Sequence, residues 1–176
     1  MSGIEQGLID FYVGAKANNR GFTLIELLNK SDDWLERNHM FFQWLFPLTT
    51  PSVANIYAPL LNEPTIAALR ASQIAQDNLV RCFLRFCAVL GLAAEADATR
   101  EGGIVVGKSA TFEQRKHFWF TSDSHSNARL TRVFTCLKLL GREDLARALY
   151  DGIMRLADSE EGFGISEEVV RRWGAV

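Results

Sequence analysis

The chain has 176 residues, of which 48% are hydrophobic and 23% charged, with a formal net charge of −2. This composition excludes a disordered chain and favours one autonomously folding domain over residues 1–176. The charge excludes bulk attraction to nucleic acid or anionic lipid, and no apolar run reaches the roughly 18 residues of a membrane span. Without a basic, secretory-type N-terminus, the sequence predicts a cytoplasmic protein that neither binds nucleic acid nor inserts into membranes.

Helical spacing and capping residues predict a succession of helices in the first half of the chain. Apolar periodicity predicts a first helix over residues 4–17, and Thr23 is expected to cap a short second helix. A third helix is predicted over residues 32–46, where a proline ends it. Two more prolines predict a loop over residues 48–62, and a long, central, buried helix follows over residues 64–90.

The second half of the chain is predicted to contain a short irregular segment and three more helices. Residues 93–109 mix charges and glycines with β-branched residues, which predicts a loop or a short hairpin. Single-face apolar stripes predict helices after Ser126 and over residues 143–156, and Ser166 is expected to cap a closing helix. The predicted fold is therefore an all-α, multi-helix domain around a long central helix, with at most a minor hairpin near residues 102–109.

Residues 102–109 read GGIVVGKS, which matches the spacing of a phosphate-binding loop. Such a loop requires a buried strand before it and a helix that begins at its lysine and serine. Polar residues precede this segment, and stiff Ile-Val-Val occupies its interior. We interpret it as a surface turn and not as a nucleotide site.

The cysteines and histidines offer little support for a metal or catalytic site. Cys82, Cys87 and Cys136 lie in apolar segments without metal-ligand spacing, which predicts buried free thiols and neither metal nor cofactor. Glu36 and His39 are three residues apart on the predicted third helix. They could form an acid–base pair or a structural salt bridge, and no nucleophile is evident near them in sequence.

Two other groups of residues suggest ligand binding. The tract at residues 39–47 holds more large apolar side chains than one helix face needs. Trp44 is therefore expected to pack in the core, to wall a groove for an apolar ligand or peptide, or to do both. Arg129 and Arg132 lie near the start of a predicted helix. They form either a solvated face or a site for an anion or an acidic peptide.

Two stretches of the sequence resemble the conserved region of the opioid growth factor receptor family. The matching residues are WLERNH at 34–39, QWLFP at 43–47, Pro51-Ser52, Asn55, APLL at 58–61, HSNARLTR at 125–132 and CLKLLG at 136–141. The chain looks like a compact bacterial-type form. For vertebrate members, the resemblance implies a receptor for an enkephalin peptide that is linked to the nucleus and to growth restraint. It implies no active-site residues.

Together these features predict a non-enzymatic binding module of that family. The QWLFP motif and the proline-containing loop are expected to approach the start of the helix after Ser126 and to form a polar-rimmed groove. That groove would bind a peptide or a small anionic ligand. The candidate ligand-binding residues are Gln43, Trp44, Asn55, His125, Arg129 and Arg132. Two alternatives stay open: an uncharacterised enzyme that uses a histidine, and a structural domain for self-association.

Overall fold

The computed structural model describes residues 3–52, 55–97, 103–120, 125–159 and 164–175. Its α-helices are α1 (Gly3–Tyr12), α2 (Leu24–Leu28), α3 (Asp32–Arg37), α4 (His39–Leu45), α5 (Glu63–Ala71), α6 (Gln73–Val89), α7 (Phe112–Arg115), α8 (His125–Leu139), α9 (Glu143–Ser159) and α10 (Glu167–Gly174). The strands are β1 (Leu92–Ala96) and β2 (Ile104–Lys108), and a 3-10 helix covers Lys116–Phe118. The predicted mostly helical fold with a minor hairpin is confirmed.

The hairpin replaces the loop that a nucleotide site would need. β1 and β2 pair antiparallel, with Ala94 opposite Val106. The segment that matched a phosphate-binding pattern therefore lies largely in β2, and Gly102 lies outside the described residues. Ser109 follows the strand, and its Oγ donates to the carbonyl oxygen of Gly91 at 2.8 Å. This hydroxyl bonds within the hairpin. The segment is therefore mainly a hairpin strand and not the surface turn of our interpretation.

Two helices that the sequence predicts as continuous are each divided in two. Asn38 separates α3 from α4, with φ −108° and ψ 76°, and its side-chain Nδ2 donates to the Trp34 carbonyl oxygen at 2.8 Å. Ser72 separates α5 from α6, and its Oγ accepts a hydrogen bond from the amide of Ala75 at 3.2 Å. The predictions of unbroken helices over 32–46 and 64–90 are therefore wrong, because short polar side chains compete locally with the helical hydrogen bonds.

The helix termini follow the capping residues more closely. Side-chain caps at Thr23, Ser31 and Ser166 begin α2, α3 and α10, as predicted. The first helix ends at Tyr12 and not near residue 17. It stops because Gly14 adopts a positive φ of 79°, a conformation that favours glycine and closes a helix C-terminus.

The chain divides into two compact units. Unit 1 comprises residues 1–85 and 139–141, and unit 2 comprises residues 86–138 and 142–176. The prediction of a single domain over the whole chain stays a prediction. Within the described residues, no helix is both long enough and apolar enough to cross a membrane.

Unit 1 is held together by buried aromatic side chains and by bonds to main-chain carbonyl groups. Phe11 packs edge-on against Trp44, with 5.1 Å between ring centroids. Tyr12 donates its hydroxyl hydrogen to the carbonyl oxygen of Leu45, which ties α1 to the end of α4. Asn78 donates to the carbonyl oxygen of Tyr12 at 2.7 Å and ties α6 to the end of α1.

Unit 2 is built on α8 and α9, whose apolar stripes are buried as predicted. Gly152 on α9 lies directly against Val106 of the hairpin: an added Cβ would meet the Val106 carbonyl oxygen at 2.6 Å. Trp173 on α10 is buried, and its indole nitrogen donates to the Thr131 hydroxyl at 2.9 Å. The hairpin and the closing helix therefore both pack on the helical pair.

Candidate ligand-binding groove

The QWLFP motif is joined to the loop of residues 48–62, here called the proline loop, by a chain of side-chain hydrogen bonds. Gln43 on α4 donates through Nε2 to the Ser52 hydroxyl at 2.7 Å. Asn55 donates through Nδ2 to Gln43 Oε1 at 2.6 Å, and its Oδ1 accepts from the amide of Tyr57 at 3.1 Å. Gln43 is buried. These bonds fix the loop against α4 and hold Tyr57 in place.

The two ends of the proline loop are also paired. Leu48 and Leu60 form an isolated parallel bridge, and the amide of Leu61 donates to the Leu48 carbonyl oxygen at 2.9 Å. Residues 53–54 lie outside the described part of the chain. The loop therefore returns on itself, and Ile56 and Tyr57 lie on the surface of unit 1.

Trp44 walls two adjoining pockets between the proline loop and the chain that follows α1. The first, here called the apolar pocket, has a volume of about 490 Å³, and its lining includes Ala17, Asn18, Ile56, Tyr57, Pro59 and Leu60. The second, here called the polar pocket, has a volume of about 410 Å³ and is lined by Asn19, Arg20, Met40, Phe41, Trp44, Asn55 and Tyr57. Trp44, Asn19 and Tyr57 line both, so we treat the pair as one site, the proline-loop groove.

The apolar residues of the loop are unusually exposed. Ile56 is 80% exposed and Tyr57 is 72% exposed, although each is large enough to be a core residue. Adjacent exposed apolar side chains beside a concave surface are typical of a binding site. The sequence prediction included Trp44 and Asn55 but missed these two residues, because an apolar residue in a loop gives no sign of its exposure.

The turn after α1 forms the opposite side of the groove. Asn18 is buried, and its Oδ1 accepts from the amides of Arg20 at 2.9 Å and Phe22 at 3.1 Å. Asn19 donates through Nδ2 to the Tyr57 carbonyl oxygen at 3.5 Å. The sequence prediction placed no site residue in this turn. An Asn that bonds the amide two residues on is a recognised turn signal and could have placed this turn.

The remaining predicted site residues lie on α8 in unit 2. Arg129 is only 8% exposed, so its interpretation as part of a solvated face is wrong. Burial also lowers the pKa of the Arg132 guanidinium from its ordinary value. His125 begins α8, and its side chain lies outside the part of the structure that is described. The prediction that α8 and the proline loop share one groove stays a prediction.

The pairing of Glu36 with His39, left open as an acid–base pair or a salt bridge, is not tested by the described residues. Glu36 lies on α3 while His39 begins α4, so the two residues do not occupy one helix face as predicted. The side chain of His39 is outside the described set.

The three thiols are buried and are not in disulfides, as predicted. Cys82, Cys87 and Cys136 form no disulfide. Burial raises the pKa of Cys82 to about 12 and raises that of Cys87 still further above its ordinary value. These are packing residues and not thiolate nucleophiles.

The fold and the groove thus define a mostly helical protein with a ligand-sized surface site. The conserved region of the opioid growth factor receptor matches residues 7–157, and the chain belongs to this family. It is 36% identical over 126 residues to the opioid growth factor receptor of Mus musculus and 34% identical over 111 residues to that of Homo sapiens.

These alignments cover 70% and 63% of this chain but only 19% and 16% of the mouse and human proteins. The chain thus spans less than a fifth of the length of these relatives. No solved structure matches it.

Proposed function

We propose that this chain is a non-enzymatic binding module that takes a peptide-like ligand in the proline-loop groove. The observation that carries the proposal is the pair of pockets walled by Trp44 beside exposed Ile56 and Tyr57. Their volumes fall within the range of about 300–1,000 Å³ that small-ligand sites occupy. The relatives are receptors by name, which supports ligand binding over catalysis.

The groove is suited to binding because it is already formed. The bonds among Gln43, Ser52 and Asn55 hold the loop before any ligand arrives, so little ordering entropy remains to be lost on binding. An apolar ligand side chain that enters beside Ile56 and Leu60 would gain about 1.5–3 kcal/mol from burial.

The predicted site residues have different parts in this proposal. Trp44 is the wall, and Gln43 positions the loop. Asn55 lines the polar pocket and can offer its second Nδ2 hydrogen to a ligand oxygen. A separate candidate position for an anionic group lies on α8, at residues His125, Arg129 and Arg132.

The proposal is tested by measuring thermal stability against a library of metabolites, nucleotides and short peptides that includes enkephalins. A ligand that binds only the folded state stabilises it by about 2.7 kcal/mol at a hundredfold excess over its dissociation constant. Each hit is repeated with Ile56→Ser and with Ile74→Ser. Ile74 is a matched control, because it is 59% exposed on α6 and lines neither pocket.

Binding that is lost in Ile56→Ser and kept in Ile74→Ser supports the groove as the site. Equal binding by both variants places the ligand elsewhere. A third variant, Arg132→Gln, then tests α8: if binding is lost in this variant alone, the ligand is assigned to α8. A screen without hits removes the small-ligand proposal and favours self-association, which light scattering of the purified chain then measures.

A further inference from the structure

We infer that the proline-loop groove selects a ligand that ends in an acylated apolar residue with a free carboxylate, such as the C-terminal residue of a peptide. The inference rests on the proposed function and adds the chemical class of the ligand. Three features of unit 1 carry it: the charge of Arg20, the hydrogen-bonding state of Asn18, and the junction between the two pockets.

Arg20 brings a positive charge to the polar pocket that no carboxylate of the described residues neutralises. Its Nη2 contacts Met40 Sδ at 3.6 Å, and the pocket lining contains neither aspartate nor glutamate. Lys16, at the apolar pocket, differs because its Nζ lies 2.7 Å from Asp10 Oδ2. A guanidinium beside neutral amides favours an anion, and its planar array of N–H groups matches a carboxylate.

Asn18 supplies the second feature. Its Oδ1 accepts two backbone amide hydrogens, which only an oxygen can do, so the orientation of the side-chain amide is fixed. The Nδ2 atom is buried and has no hydrogen-bond partner within the described residues, and Asn18 lines the apolar pocket. A buried donor without a partner is costly to the protein, and a ligand carbonyl oxygen that displaces the groups covering Nδ2 would satisfy it.

The two pockets share lining residues, and this junction sets the order in which the polar and apolar groups of a ligand must follow one another. Asn19, Trp44 and Tyr57 line both pockets, so one small molecule can occupy both. A carboxylate at Arg20, a carbonyl oxygen at Asn18 and an apolar side chain against Ile56 are the three functions of an N-acylated apolar amino acid. The groove therefore complements the end of a peptide chain better than its middle, which lacks the carboxylate.

The experiment titrates the ¹⁵N-labelled protein with N-acetyl-leucine, N-acetyl-leucinamide and N-acetylglycine at low ionic strength. We expect the Asn side-chain signals of the groove and the Trp44 indole signal to move with N-acetyl-leucine. Its affinity should exceed that of the amide at least about fivefold, about 1 kcal/mol, which is the scale of an exposed ion pair. N-acetylglycine should bind more weakly than N-acetyl-leucine because it leaves the apolar pocket empty.

Arg20→Gln should bind the acid and the amide equally, while Arg37→Gln should keep the preference of the unmodified protein. Arg37 is a matched control: it is also exposed, lies in unit 1, and bonds only the Asp33 carbonyl oxygen among the described residues. The spectra of both variants report directly whether they are folded.

Equal affinity for the acid and the amide in the unmodified protein overturns the inference, as does a preference that survives Arg20→Gln. If both leucine probes bind equally and Ile56→Ser weakens both, the groove still binds ligands and only the carboxylate selection is refuted. If none of the probes moves the groove signals, the inference is refuted, and the proposed function is decided by its own screen.

Discussion

Asn55→Ala should remove the support of the proline loop. The change deletes the bond to Gln43 Oε1, at 2.6 Å, and the acceptor for the Tyr57 amide, at 3.1 Å. A buried acceptor left without a partner costs about 1–3 kcal/mol, and loss of the second, more exposed bond adds about 0.5–1 kcal/mol. We therefore expect a loss of about 1.5–4 kcal/mol in the free energy of unfolding, together with weaker ligand binding as Tyr57 loses its position.

The measurement is urea denaturation followed by circular dichroism and tryptophan fluorescence. Asn19→Ala is the control, because this side chain is also an amide at the groove. Its only hydrogen bond within the described residues is an exposed one of 3.5 Å to the Tyr57 carbonyl oxygen. It should change stability by no more than about 0.5 kcal/mol. If Asn55→Ala costs no more than Asn19→Ala, the hydrogen-bond chain does not hold the loop.

Three further outcomes are expected. Gly152→Ala should lower the free energy of unfolding. The added Cβ would overlap Val106 at a cost of about 1–3 kcal/mol, which outweighs the gain of about 1 kcal/mol in helix propensity. Unchanged stability in urea would contradict this close contact. Cys82 and Cys87 should resist a thiol reagent at pH 8 in the native protein and react on denaturation, since burial raises the pKa of both; rapid native labelling would refute their burial. The pKa of Glu26 is lowered by its hydrogen bonds with Thr23, so the stability that these bonds contribute is present above the unfolded carboxyl pKa of about 4.3 and is lost as pH falls through the lower folded pKa. Glu26→Gln should therefore make the melting temperature depend less on pH on the acid side. A pH profile identical to that of the unmodified protein would count against the capping box.

The groove also bears on how the family motif is understood. Gln43 and Trp44 belong to the QWLFP string, but only Trp44 lines the pockets, while Gln43 is buried and bonded to Ser52 and Asn55. The motif thus supplies both a wall and an internal brace. A variant of Gln43 is therefore expected to affect stability first and binding second.

Interactions between near neighbours in the chain were predictable from the sequence. The caps at Thr23, Ser31 and Ser166 join residues three apart, so the sequence alone locates the starts of three helices. Apolar periodicity likewise predicted the stripes of α8 and α9, because burial of one helix face repeats with the helical period. The breaks at Asn38 and Ser72 were missed, because apolar periodicity does not show where a short polar side chain competes with the helical hydrogen bonds.

The groove depended on contacts that no local pattern encodes. Asn19 meets Tyr57 across 38 positions, and Arg20 meets Met40 across 20. The burial of Asn18 and the exposure of Ile56 depend on which residues pack beside each of them, and apolar periodicity does not predict those neighbours. The sequence by itself determined the mostly helical fold class, the starts of three helices and the family motif, whereas tertiary packing decided which side chains line the groove.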